Sequence, residues 1–257
     1  MNDHISYTQL STYLDCPLKY CFQYVEQIPW PFKPEGLVFG TGIHQALEHF
    51  YTGKKEGRDV PFDEILALYD AAWEKESSEN KIQFKNGNTP EILHATAESM
   101  LKTFMDTVRP GTIRGVEQPF SVDLVNPDTS EKLDIPLTGR IDLIEERDGH
   151  IYIVDQKTAL KAYTQEKADT DLQLTAYAYV LAREGHDIDK LTLRFDVLMK
   201  NGEYSFRSYS STRTMENLKR FFNITKSVIN GIRGAAFYPV ESWMCNGCVF
   251  AENCRKW

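Results

Sequence analysis

The residues with the most chemical content lie between positions 139 and 158. Gly139-Arg-Ile-Asp142-Leu-Ile-Glu145 is followed, across Asp148-Gly149, by Ile151-Tyr-Ile-Val-Asp155-Gln-Lys157-Thr158. Both stretches read as strands. Asp-Gly between them predicts a hairpin, because a tight turn there needs positive φ. Alternate side chains of a strand share a face, which sets Asp155 and Lys157 on one side, about 7 Å apart. Asp142 falls on the neighbouring strand. Two carboxylates so placed offer hard oxygen ligands for Mg²⁺ or Mn²⁺. An ammonium beside them suits phosphodiester hydrolysis: it helps orient and deprotonate an attacking water and offsets transition-state charge, while the metal lowers the water's pKa. The same residues alone also suit a surface hairpin with ionic cross-strand pairs. Against that stands the face itself: Asp155 and Lys157 continue the apolar line of Ile151 and Ile153, where charges need partners.

The cysteines form a second group. Cys245, Cys248 and Cys254 make a C-x2-C-x5-C run near the C-terminus, and Cys16 and Cys21 lie at the other end. An odd count without a visible secretory leader is a poor disulfide framework. A C-x2-C turn lets two thiolates converge on one metal centre. Three thiolates leave a four-ligand site one short, and Cys16 or Cys21 supplies the fourth if the fold returns the C-terminus to the N-terminus. Zinc and an iron–sulfur cluster both take such a set. A trio joined to one distant ligand looks less like a self-contained zinc finger.

Periodicity supplies the supporting elements. Helices are predicted over Ser6–Tyr24, interrupted at Cys16-Pro17, and over Phe39–Tyr51, Phe62–Glu76 and Glu91–Val108, with a loop at Pro29–Pro34. The period then changes: Val116–Val125, Ile135–Glu145 and Ile151–Thr158 read as strands. Asp169–Arg183 is helical, Leu191–Lys200 and Tyr204–Tyr209 form a hairpin turned at Asn201-Gly202, and Thr212–Ile232 is a helix. This order predicts an α/β fold, a central mixed sheet flanked by helices, in one domain over 1–257 with a helical insertion at about 53–110. Glu117, on the strand before Asp142, is a candidate extra metal ligand but reads rather as a solvated strand carboxylate, and is left out of the site.

Asp142 with Asp155-Gln-Lys157 resembles the PD-(D/E)xK nuclease superfamily, most closely its RecB-like branch, which includes CRISPR-associated RecB-like exonucleases and the nuclease domain of AddB. Gly40-Thr-Gly-Ile-His44 is similar to that branch's N-terminal histidine motif, and Gln173-Leu-Thr-Ala-Tyr177 to its Q-x-x-x-Y motif. Ser6-Tyr-Thr-Gln-Leu, Cys16-Pro17 and the terminal trio resemble the arrangement that holds a 4Fe–4S cluster. The likeness runs from about residue 5 to the end and implies a restriction-endonuclease-like core. By resemblance, His44, Asp142 and Asp155 ligate the divalent metal with the Gln156 carbonyl. Lys157 positions the water, and Gln173 and Tyr177 support Lys157 or contact DNA. Cys16, Cys245, Cys248 and Cys254 bind the cluster through segments at about 5–25 and 241–257, tying the two ends together. Cys21 has no assigned place and is the substitute for Cys16. Asp155 stands where Glu is commoner.

Composition is ordinary for a globular chain of 257 residues, with 42% apolar and 26% charged residues. No apolar run reaches the roughly 18 residues of a membrane helix, and the polar N-terminus shows no secretory signal; the expectation is a cytoplasmic protein with no membrane partner. The net charge of −8 is unevenly placed: residues 190–257 hold 11 bases against 5 acids. That asymmetry suits a basic face for a polyanion. The expected activity is metal-dependent cleavage of DNA, as an exonuclease on single-stranded ends in repair, recombination or CRISPR adaptation. No phosphate loop is present, so any helicase is a separate partner. A non-catalytic nucleic-acid-binding or assembly protein on the same fold, and a zinc-stabilised endonuclease, are the competing readings.

Overall fold

The computed structural model describes residues 3–85, 87–160, 163–200 and 204–257. Its strands are β1 (Ile5–Ser6), β2 (Lys33–Pro34), β3 (Ile82–Gln83), β4 (Thr112–Val125), β5 (Lys132–Arg147), β6 (His150–Ala159), β7 (Leu191–Met199) and β8 (Ser205–Ser211). The helices are α1 (Tyr7–Asp15), α2 (Pro17–Tyr20), α3 (Glu35–Lys55), α4 (Phe62–Glu79), α5 (Pro90–Thr107), α6 (Gln165–Thr170), α7 (Leu172–Arg183), α8 (Met215–Arg233) and α9 (Ala251–Cys254).

The main sheet runs β1-β5-β6-β7-β8, with β4 on β5. It is mixed: β1 on β5 and β6 on β7 are parallel, while β4–β5, β5–β6 and β7–β8 are antiparallel. Asp148 and Gly149 turn the β5–β6 hairpin at φ 51° and 78°, the left-handed values that a tight two-residue hairpin requires. β7 is buried along nearly its whole length, as its apolar run demands of a central strand. The Asn201-Gly202 turn expected after it lies outside the described residues.

The two sheet faces bury separate cores. Ile153, Phe195 and Leu193 pack with Leu174 and Val180 of α7 and Phe221 and Phe222 of α8. Val154, Leu143 and Leu198 pack with Ile43 and Leu47 of α3, Ile65 of α4 and Leu101 and Phe104 of α5. The helical insertion thus closes over α3. Lys33 and Pro34, expected as loop, pair with Ile82 and Gln83, because the insertion brings its own short strand back to α3's entry. The carboxylate of Glu35 fixes that return: it accepts from the Lys85 N–H at 3.1 Å and from Asn88 Nδ2 at 2.6 Å.

The helix expected over Asp169–Arg183 is two helices. Asp171 is extended and caps α7, its carboxylate accepting from the Gln173 N–H at 2.8 Å. The buried Arg213 guanidinium spans the break, donating to the carbonyls of Ala168 (2.8 Å) and Asp171 (3.0 Å) and to Thr175 Oγ1 (2.7 Å). α7 is held at its first turn, where Gln173 stands.

The chain ends meet. Leu18 and Phe22 pack against Val249 and Phe250, the Leu18 N–H donates to the Tyr238 carbonyl at 3.0 Å, and Tyr13 Oη donates to the Ala236 carbonyl at 2.8 Å.

Close approach explains Gly139. It pairs with Phe120 across β4–β5, and a Cβ there would stand 2.6 Å from Phe120 Cζ. The Phe120 ring then meets Tyr177 edge-on at 6.4 Å. Gly139→Ala is expected to lower unfolding stability by about 1–3 kcal/mol, measured by urea denaturation. Adding Phe120→Ala should make the two effects less than additive, because the ring that clashes is gone.

Candidate active site

The site forms where strand pairing stops. β4 covers one edge of β5 along its length. On the other edge β6 pairs only up to Leu143↔Val154, and β1 pairs at Leu137 and Thr138. Asp142 lies between them. Continued by one step, the hairpin would set Asp142 against Asp155. Instead the Gln156 N–H, freed from the ladder, donates to Asp142 Oδ2 at 2.8 Å.

Asp155, Lys157, Gln173 and Tyr177 close a ring. Lys157 Nζ lies 2.6 Å from Asp155 Oδ2 and donates to Gln173 Oε1 at 2.9 Å. Gln173 Nε2 donates to Tyr177 Oη at 3.1 Å, and Tyr177 Oη donates to Asp155 Oδ1 at 3.2 Å. Residues 173 and 177 sit one helical turn apart on the α7 face that meets β6. Asp155 is fully buried, and its Oδ2 is met by the Lys157 ammonium.

Burial raises the pKa of Asp155 and of Asp142 above the ordinary carboxylate value. Burial also opposes the charge on Lys157, but Asp155 and Asp142 outweigh it, and its pKa lies above that of free lysine. Lys157 is therefore an ammonium here, and a hydrogen-bond donor. His44, on α3, has Nδ1 3.8 Å from Asp142 Oδ2. Burial and the Lys157 charge lower its pKa, so it presents a neutral imidazole, the form that ligates metals.

Glu117 is the residue the sequence reading set aside. Its carboxylate, His44 and Asp142 each offer a ligand atom, all within 4.8 Å of one another. It is not a solvated strand carboxylate: burial first, then Asp142 and Glu48, push its pKa up to about 7. By register it opposes Asp142, between Val116↔Leu143 and Gln118↔Ile141. Its φ of 45° breaks the pleat. Val116 packs on the α3 side of the sheet, whereas Phe120, Val122 and Leu124 pack on the α7 side. The alternation of faces slips at Glu117, although Val116, Phe120, Val122 and Leu124 keep an even spacing in the sequence, so residue order carries no signal of it.

The sequence profile of the PD-(D/E)XK nuclease superfamily matches residues 4–255. The chain belongs to this superfamily. A search of curated protein sequences finds no match. Among solved structures, a candidate exonuclease of Eubacterium rectale superposes with a TM-score of 0.54 at 11% identity, over 99% of this chain and 88% of that one; this likeness is one of fold. The protein SSO0001 aligns over 100% of this chain and 87% of its own at 13% identity, with a TM-score of 0.45.

Nucleases of the PD-(D/E)XK superfamily use divalent metals, and the donors here fit one. The set is one neutral imidazole and the half-buried carboxylates of Asp142 and Glu117, ligand atoms within 4.8 Å of one another, beside the fully buried Asp155.

The cysteines gather without closing. Cys16, Cys245, Cys248 and Cys254 line one cavity of about 670 Å³. Burial, followed by the other three thiols, raises the pKa of Cys254. Among the described residues no three of the sulfurs stand within 4.8 Å of one another. Cys21 lies elsewhere: it is buried and donates to Glu26 Oε1 at 3.5 Å.

A cation entering beside Glu117 must displace the proton that its raised pKa retains. Mn²⁺ binding near pH 6.5 is expected to release protons, and apparent affinity should rise with pH up to about 7. Glu117→Gln should weaken binding and reduce the release. Calorimetry in two buffers of different ionisation enthalpy measures both.

Proposed function

We propose that the chain is a divalent-metal-dependent deoxyribonuclease of the RecB-like branch, acting as an exonuclease on single-stranded ends. The observation that carries this reading is the pairing of the closed Asp155–Lys157–Gln173–Tyr177 ring with the His44–Glu117–Asp142 group across one fork in the sheet. His44, Asp142 and Asp155, with the Gln156 carbonyl and Glu117, would hold the cation. When bound, such a cation lowers the pKa of water and screens phosphate charge. Lys157 orients the nucleophilic water and donates to the charge that develops on the phosphoryl oxygens. Gln173 fixes the ammonium in direction, Tyr177 fixes the Asp155 carboxylate, and the apolar walls from Ile153 and Phe195 keep the lysine's surroundings dry.

Asp155→Ala and Lys157→Ala are each expected to abolish cleavage of end-labelled single strands in Mn²⁺. Far-UV circular dichroism should stay that of the folded chain. Undiminished cleavage by either variant refutes the assignment. Tyr177→Phe keeps the ring's shape and should cost much less.

We further propose a 4Fe–4S cluster held by Cys16, Cys245, Cys248 and Cys254 as a staple between the chain ends. What supports this reading is that all four thiols line one cavity between the chain ends. Cys21, already donating to Glu26, gives way to Cys16 as the fourth ligand. Anaerobically purified protein is expected to absorb in the visible and to carry iron. Cys248→Ala should lose that absorption and melt at lower temperature; unchanged values of both would rule the staple out.

A further inference from the structure

One side chain beside the site has a charge that the fold does not use. The β4–β5 ribbon carries four cations, Arg114, Lys132, Arg140 and Arg147. Three of them hold a carboxylate of the same ribbon: Arg114 lies 2.7 Å from Glu146, Lys132 2.6 Å from Asp123 and Arg147 3.1 Å from Glu145. Arg140 differs. Among the described residues it makes no ion pair, and the partner of its side chain is a backbone carbonyl, that of Glu117.

That partner gives the side chain a direction. Arg140 pairs with Pro119 in the ladder, yet its Nη1 donates to the Glu117 carbonyl at 3.4 Å. The side chain therefore runs two residues along β4, about 7 Å, toward the level at which Glu117 opposes Asp142. Its face follows from its neighbour. Gly139 turns to Phe120 on the α7 side, so Arg140 turns to the α3 side, where His44 stands near Asp142. Its charge is felt there, drawing the Glu117 pKa down against burial and the neighbouring acids. Arg140 itself is exposed. A guanidinium is a planar fork of several N–H donors, and one corner alone is engaged here.

We propose that Arg140 is a substrate-binding residue, its guanidinium taking the non-bridging oxygens of a DNA phosphate that approaches the His44–Glu117–Asp142 group from the α3 side. The proposal rests on the nuclease reading and adds the residue that meets the phosphate on the face opposite Lys157, which Gln173 holds on the α7 side. A phosphodiester nearing these acids meets like charge, and a cation already committed to a carboxylate could not offset it. The guanidinium fork matches phosphate oxygens two at a time. The Glu117 carbonyl anchors one corner and leaves the rest presented, so less side-chain freedom is lost when the phosphate arrives. Lysine at this position would keep the charge and lose the fork.

The test uses the Lys157→Ala background, where cleavage is expected to stop and Mn²⁺ can stay present. Binding of a labelled twenty-nucleotide oligothymidylate is followed by fluorescence anisotropy at several salt concentrations. Adding Arg140→Ala is expected to weaken binding about tenfold. The slope of log K against log salt should become shallower by about 0.7, the loss of one phosphate contact to a single strand. Arg140→Lys should keep the slope and lose part of the affinity. Strands with one neutral methylphosphonate at successive linkages locate the phosphate: one linkage should weaken binding when Arg140 is present and have no further effect once it is gone. An unchanged slope, or no linkage whose effect depends on Arg140, overturns the proposal. A change confined to Mn²⁺ affinity without DNA, measured by calorimetry, also overturns it and assigns Arg140 to Glu117 alone. If wild type cleaves single strands in those cases, the nuclease reading stands; if wild type cleaves no strand at all, both fall.

Discussion

The hydrogen bond from the Gln156 N–H to Asp142 is the interaction on which the site depends. A β-ladder that continued past Leu143↔Val154 would place Asp142 and Asp155 directly opposite, and like charges so placed destabilise a sheet. The strands part instead. Parting leaves a backbone N–H without its ladder partner, and an unmet buried donor costs about 1–3 kcal/mol. Asp142 meets it with one oxygen. The same carboxylate therefore closes the end of one ladder and stands beside Glu117 and His44. β1 then occupies the part of the β5 edge that β6 has left, so the fork is bounded on both sides rather than frayed.

Charge explains why the surrounding residues are arranged as they are. Asp142, Asp155 and Glu117 crowd into one partly dry volume, where Lys157 faces the two aspartates and Arg140 faces Glu117, while burial keeps His44 neutral. Glu48 adds to the acids, so negative charge is in excess. Burial first, and for Asp155 and Glu117 the neighbouring acids after it, raises their pKa values, so they tend to hold protons. The low dielectric that makes this crowding costly also strengthens the hold on any divalent ion that enters. Lys157 cannot relax toward Asp142, because Gln173 fixes its other side and Asp171 and Arg213 fix the turn that carries Gln173.

Much of this was legible in the sequence, and the reasons are local. Asp155-Gln-Lys157 sits in a strand with strict alternation, next to a turn whose φ values only a few residues tolerate, so both the face and the hairpin followed from residue types. Gln173 and Tyr177 were readable as one helix face by their spacing. The break at Asp171 was not, since Arg213, which stabilises it, is 42 residues away. Glu117 was set aside for a different reason. In an evenly alternating β4 it would point to solvent or to a single core, and only the reversal of faces between Val116 and Phe120, imposed by two cores on opposite sides of one sheet, turns it toward Asp142. A change of that kind is a property of tertiary packing and leaves little trace in composition.

The two ends of the chain are mechanically part of the site. In residues 234–257 only Val249 and Phe250 are buried, too little apolar surface to secure a segment of that length alone. Yet this segment anchors α1, through the Tyr13 hydroxyl on the Ala236 carbonyl and through Phe237 against Tyr13 and Tyr20. α1 begins immediately after β1, capped by Ser6, and β1 is the strand that fills the β5 edge next to Asp142. Loosening the C-terminal segment thus frees α1, then β1, then the boundary of the fork. A cross-link between Cys16, at the end of α1, and the terminal thiols would oppose that sequence at its first step, whatever chemistry the cross-linking group has of its own.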